Sequence, residues 1–68
     1  MDEIVLKVEG MSCQGCVKGV TAALMAVPGV TDAQVDLAAA QAHVRFDQAQ
    51  ATPEMLIQAV EAAGFDVG

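Results

Sequence analysis

The chain has no tryptophan and no tyrosine, and Phe46 and Phe65 are its only aromatic side chains. Basic residues are almost as scarce. Lys7, Lys18 and Arg45 stand against nine acids, for a net charge of −6. That balance excludes a nucleic-acid binder, which needs Lys and Arg to neutralise phosphates. It suits either docking on a basic protein surface, with steering that weakens as salt rises, or a plain solubilising surface. No apolar run approaches the roughly 20 residues of a membrane span. The opening "MDEIVLKVEG" is acidic and alternating, unlike a secretory signal, so the expected compartment is the cytoplasm. At 68 residues there is room for one small domain, whose core supplies about 3–5 kcal/mol of net stability. An enclosed substrate pocket does not fit in such a core, which favours a binding module over an enzyme. The apolar share of 54%, mostly Ala and Val, fits a globular chain and excludes disorder.

What the chain does have is a pattern that changes period. "EIVLKVEG" alternates through Ile4, Leu6 and Val8 and predicts a strand over 3–9 that Gly10 ends. Val17, Val20, Leu24 and Val27 then recur at steps of three and four, the signature of one helix face. That helix is expected over 14–26, with Ser12 as N-cap and Pro28-Gly29 as the stop. "VTDAQVDL" alternates through Ala33, Val35 and Leu37, and "AHVRF" through Ala42, Val44 and Phe46. The two runs predict a hairpin joined by "AAAQ", with His43 and Arg45 facing out. Thr52-Pro53-Glu54 opens a second helix, with Leu56, Ala59, Val60 and Ala63 inward and Gly64 as its end. "FDVG" leaves room for one short strand. The order βαββαβ predicts an α+β fold: a ferredoxin-like sandwich of a four-stranded antiparallel sheet with two helices on one face. The other face is expected to meet water.

Both cysteines lie in "GMSCQGC", residues 10–16. Cys13 falls in the loop after the first strand and Cys16 in the first turn of the helix. Unpaired backbone N–H groups and the positive end of the helix dipole favour negative charge there, and thiols so placed ionise readily. A spacing of three lets both sulfurs meet one ion. Thiolates are soft ligands that select Cu(I), Zn(II) and their heavier relatives. Two strong ligands suit a nearly linear geometry, which Cu(I) accepts. A closed structural zinc site needs four ligands, and the chain offers only the two cysteines and His43. A thiol–disulfide redox pair also begins a helix after a strand. It usually has an aromatic before the first cysteine and a proline facing the pair, neither of which is evident here. Met25 and Met55 are expected to pack rather than bind. Lys18 offers a positive charge near a bis-thiolate site, or is an ordinary exposed residue. Glu54, Glu61 and Asp66 are candidates for a docking face, and Glu9 is the nearest acid for a zinc or cadmium site.

"GMSCQGC" resembles the Gly-Met-x-Cys-x-x-Cys motif of the heavy-metal-associated domain family, which includes bacterial copper chaperones and the amino-terminal domains of copper-transporting P-type ATPases. The resemblance covers residues 1–68. "VPGV" after the first helix, "FD" closing the third strand and "AAGFDV" at the end also resemble the family pattern. It implies that Cys13 and Cys16 are the metal ligands, that Met11 turns inward under the metal loop, and that Phe65 packs beside that loop. It further implies a carrier of Cu(I) that is monomeric without metal and hands its ion to the metal-binding domain of a copper-transporting P-type ATPase. Two copies sharing copper through four thiolates is sterically easy. The alternatives are an amino-terminal domain of such an ATPase, where Phe is common at the place of Phe65, or a carrier of Hg, Zn or Cd. A thiol–disulfide oxidoreductase is the remote one.

Overall fold

Strand-forming alternation and helix-forming periodicity settle where the sequence places them. The computed structural model describes residues 2–67, in the order β1 (Asp2–Glu9), α1 (Gln14–Met25), β2 (Val30–Asp36), β3 (Gln41–Phe46), α2 (Pro53–Ala62) and β4 (Asp66–Val67). The strands form one sheet in the order β2-β3-β1-β4, and every neighbouring pair is antiparallel. This is the ferredoxin-like arrangement expected from the sequence.

The period of two sets the inner face. Leu6 and Val8 of β1, Ala33 of β2 and Ala42, Val44 and Phe46 of β3 are buried, and their sequence neighbours Val5, Lys7, Gln34, His43 and Arg45 are exposed. The helices cover that inner face with Val20 and Leu24 from α1 and Leu56 and Val60 from α2, all fully buried. Val17 is only half-buried, and Val27 packs at the core's edge from just beyond α1. Ala63, expected inward, is exposed: α2 ends at Ala62 and Ala63 is its C-cap. Met25 and Met55 are also exposed, at 46% and 36%, so neither packs in the core. Each follows or precedes a fully buried leucine, Leu24 or Leu56, and the helical turn between neighbours carries the methionine to the outer face.

The connections are tight at both ends of the sheet, beginning with the one near the cysteines. The β2–β3 turn spans 37–40, one residue earlier than the alternation suggests. Asp36 Oδ1 accepts from the Ala39 N–H at 3.2 Å, and Ala40 adopts a left-handed φ of 54°. Val8 N–H then donates to Ala40 O at 2.9 Å, which ties the turn to β1. At the opposite end Gly29 has φ +94°, and a Cβ there would lie 2.7 Å from Gln50 Cβ and about as close to Ala51. The Val27–Gly29 turn is thus pressed onto the 47–51 connection, where Asp47 N–H donates to Gly29 O at 2.8 Å and Ala51 is fully buried. α2 starts as its sequence predicts: Thr52 Oγ1 accepts from Met55 N–H, and Pro53 takes the first helical position, where no N–H is needed. The register between β2 and β3 shifts at Val30–Asp32.

Candidate metal centre

β1 runs toward the end of the molecule where α1 begins, so the chain turns there through residues 10–13. Gly10, at φ +95°, makes the first bend. Ser12 does not cap α1. The N-cap is Cys13, with extended backbone (φ −157°, ψ 173°) and no side-chain cap hydrogen bond. Its carbonyl accepts from the Cys16 and Val17 amides at 3.0 and 3.3 Å. A thiol is a weak acceptor, so the first-turn amides have no side-chain oxygen to satisfy them. The positive end of the helix is left facing the sulfurs. Ser12 Oγ instead lies 3.9 Å from Cys16 Sγ.

Cys13 is exposed and Cys16 half-buried, both free thiols, with their sulfurs 3.8 Å apart. The Cys16 thiol is held below its ordinary pKa, first by a backbone hydrogen bond from Ser12 and then by the Cys13 thiol; partial desolvation opposes them. With a metal–thiolate bond of about 2.3 Å, this spacing corresponds to an S–metal–S angle of roughly 110°, while a linear site needs about 4.6 Å between sulfurs. Opening the pair by under about 1 Å reaches the linear geometry. That is a rotamer-scale movement for a cysteine on an exposed loop.

The other candidates do not join the pair. Among the described residues no group of three or more His, Cys, Asp and Glu side chains is placed to hold one ion. Glu9 stands opposite Asp66 in the β1–β4 pair. His43 is on the open face of the sheet, 3.6 Å from Glu3. Lys18 is exposed on α1, and Met11 is half-buried against the core, as the family resemblance implies. Phe65 packs beside the loop: its Cδ1 is 3.7 Å from where a Cβ on Gly10 would lie, and its Cε2 is 3.9 Å from the same point at Gly19. The seat provided by Gly19 was not read from the sequence, where Gly19 registers only as a weak helix former. Pro28 follows α1 and Pro53 opens α2, so both stand away from the thiols.

The acids are unevenly spread. Glu3, Glu9, Asp32, Asp36 and Asp66 are exposed on the strands, whereas the exposed charges on the helices are Lys18, Glu54 and Glu61. The net charge therefore belongs mainly to the sheet; Glu54 and Glu61 are on α2 and Asp66 on β4. No helix among the described residues is long and apolar enough to cross a membrane.

A βαββαβ sandwich with two thiols at the start of its first helix defines a class of small soft-metal-binding domains. The heavy-metal-associated domain model matches residues 5–66, and the chain belongs to that family. The copper chaperone CopZ of Staphylococcus haemolyticus is 43% identical over 63 residues, covering 93% of each chain. A solved CopZ metallochaperone superposes with a TM-score of 0.96 at 37% identity, covering 98% of this chain and all of that one. A copper-binding domain from HMA7, a P-type ATPase, superposes with a TM-score of 0.98 at 40% identity, covering all of this chain and 92% of that one.

Proposed function

We propose that residues 1–68 act as one metal-carrying domain, a cytoplasmic copper chaperone that binds Cu(I) through Cys13 and Cys16. It passes the ion to the metal-binding domain of a copper-transporting P-type ATPase. The observation that carries this reading is the 3.8 Å sulfur pair at an uncapped helix start, in a chain similar over nearly its full length to CopZ. The copper ion is cargo: the protein makes and breaks metal–sulfur bonds, and no bond within a substrate changes.

Binding releases the thiol protons, and the depressed Cys16 value lowers that proton competition. Two thiolates leave the ion open to a third. An incoming thiolate forms a new copper–sulfur bond, and one of the original bonds then breaks as that sulfur leaves as thiolate. A three-coordinate ion with angles near 120° needs about 4.0 Å between the two host sulfurs, against about 4.6 Å when linear. Entry of the third thiolate thus lets Cys13 and Cys16 relax toward their metal-free spacing, which favours exchange over retention. A domain shaped like the HMA7 copper-binding domain would present its own ligands to the exposed Cys13.

The test is an anaerobic Cu(I) titration against a chromophoric competitor. One tight equivalent per chain is expected, lost or strongly weakened in Cys13→Ser and Cys16→Ser. Failure of the wild type to compete would overturn the copper reading. Turnover in a dithiothreitol-driven insulin reduction assay would then favour thiol–disulfide exchange.

A further inference from the structure

β4 is the smallest of the described elements, and Phe65 immediately precedes it. Asp66 and Val67 pair only with Glu9 and Val8 of β1. The inner partners, Val8 and Val67, face the core and its edge. The outer partners, Glu9 and Asp66, are directly opposite each other on the exposed face. Like charges at directly opposed positions weaken strand pairing. Lys7 is on the same face two residues back along β1, and among the described residues it forms no ion pair with either acid. One of the two β1–β4 residue pairs therefore sets like charges opposite each other.

Immediately before this pair, the Phe65 ring fills the space over Gly10 and Gly19. Gly10 is three residues before Cys13, and Gly19 three residues after Cys16. The ring thus touches both segments that carry the sulfurs, the entry to the loop and the second turn of α1. Its backbone is anchored to α2 through Phe65 N–H to Val60 O at 3.3 Å.

We infer that β4 is a charge-weakened clamp on the metal loop. The Glu9–Asp66 repulsion sets how often β4 lifts, and lifting withdraws Phe65 from Gly10 and Gly19 and frees the loop for metal exchange. Phe65 is a positioning residue, acting on the sulfurs through the backbone they stand on. The coupling to metal exchange rests on the proposed copper binding; the clamp itself does not.

The experiment has two arms. In the first, amide hydrogen exchange of residues 65–67 is followed in the metal-free protein at low ionic strength. Asp66→Asn and, independently, Glu9→Gln should each slow exchange by about two- to fivefold, the range for relieving one cross-strand repulsion. Salt at about 1 M, with a Debye length of about 3 Å, should slow the wild type alike and leave both variants nearly unchanged. Exchange that responds to neither substitution nor salt overturns the clamp. In the second arm, Cu(I) is withdrawn from the loaded protein by a chelating dithiol. Asp66→Asn should slow withdrawal, and Phe65→Ala should speed it, at unchanged stoichiometry. Slower amide exchange with an unchanged withdrawal rate overturns the coupling. A protein that does not take up Cu(I) overturns the copper reading and leaves the first arm standing.

Discussion

Arg45 Nε donates to Glu3 Oε1 at 2.6 Å across the β1–β3 pair, and His43 Nε2 stands 3.6 Å from the carboxylate's other oxygen. Glu3 therefore holds two neighbouring β3 side chains on the open face of the sheet. Its carboxyl lies below the ordinary value of 4.5, first through the Arg45 hydrogen bond, then through the Arg45 charge, with His43 adding less. A depressed folded-state pKa contributes stability above the unfolded value, and that contribution fades as pH falls through the folded one. Wild type and Glu3→Gln should thus differ in urea midpoint by a constant amount at neutral pH, and the difference should shrink below pH 4.5. Because the groups are exposed, added salt should shrink it as well.

Cys16 should alkylate faster than an ordinary thiol at neutral pH, since more of it is thiolate. The main cause is the Ser12 backbone, so Ser12→Ala keeps most of the effect and removes only the minor contribution of Oγ. Iodoacetamide rates against pH, read at Cys16 by mass spectrometry, check this. A Ser12→Ala midpoint equal to that of a free thiol would assign the effect to the hydroxyl.

Gly29 and Gly64 separate two costs of a side chain. Both have φ near +95°, but a Cβ on Gly64 meets nothing within 4 Å, whereas one on Gly29 runs into Gln50 and Ala51. Gly64→Ala should cost the left-handed strain alone, about 1 kcal/mol. Gly29→Ala adds a clash against the buried Ala51 and should cost at least about 2 kcal/mol, a large share of what so small a core supplies. Chemical denaturation of both variants ranks them, and equal losses would show that the 47–51 connection yields freely.

Cu(I) should stabilise the fold. At 100 times the dissociation constant, a ligand that binds only the native state adds about 2.7 kcal/mol. Anaerobic urea unfolding with and without Cu(I) should show this for the wild type and lose it in Cys13→Ser. An unchanged wild-type midpoint would mean that the unfolded chain, which keeps both cysteines, holds the ion as well.

Most of the architecture was legible because its rules are local. The alternation of Ile4, Leu6 and Val8 and the Thr52-Pro53 start each state their own structure, and the fold order follows from such pieces. The misses share a different origin. Ser12 looked like an N-cap by residue type, but the loop geometry gives that place to Cys13. Ala40 takes a left-handed turn position usually held by Gly or Asn, stabilised by Asp36 and by the bond from Val8 across the sheet. Ala51 sits in a connection with no periodicity and is buried because Gly29 approaches it from a distant turn. Met25 and Met55 are expected to pack because they lie far from the motif, but each sits one helix step from the buried Leu24 or Leu56 and so on the outer face. Of the site, the motif gave the two sulfurs and the family resemblance gave Phe65. The seat for that ring at Gly19 depends on how the turn after α2 brings Phe65 back against α1, which no local pattern records.

No residue from Gly10 to Cys16 is fully buried; only Met11 and Cys16 reach even half-burial. The segment that carries the two cysteines thus meets the core mainly through Met11 and the Phe65 ring over Gly10. Substitutions at the exposed Ser12, Gln14 or Gly15 reshape the surface around the two sulfurs while leaving every buried side chain in place. In such a layout a handful of surface positions can vary independently, while Leu24, Leu56 and Val60 stay under the separate discipline of the core.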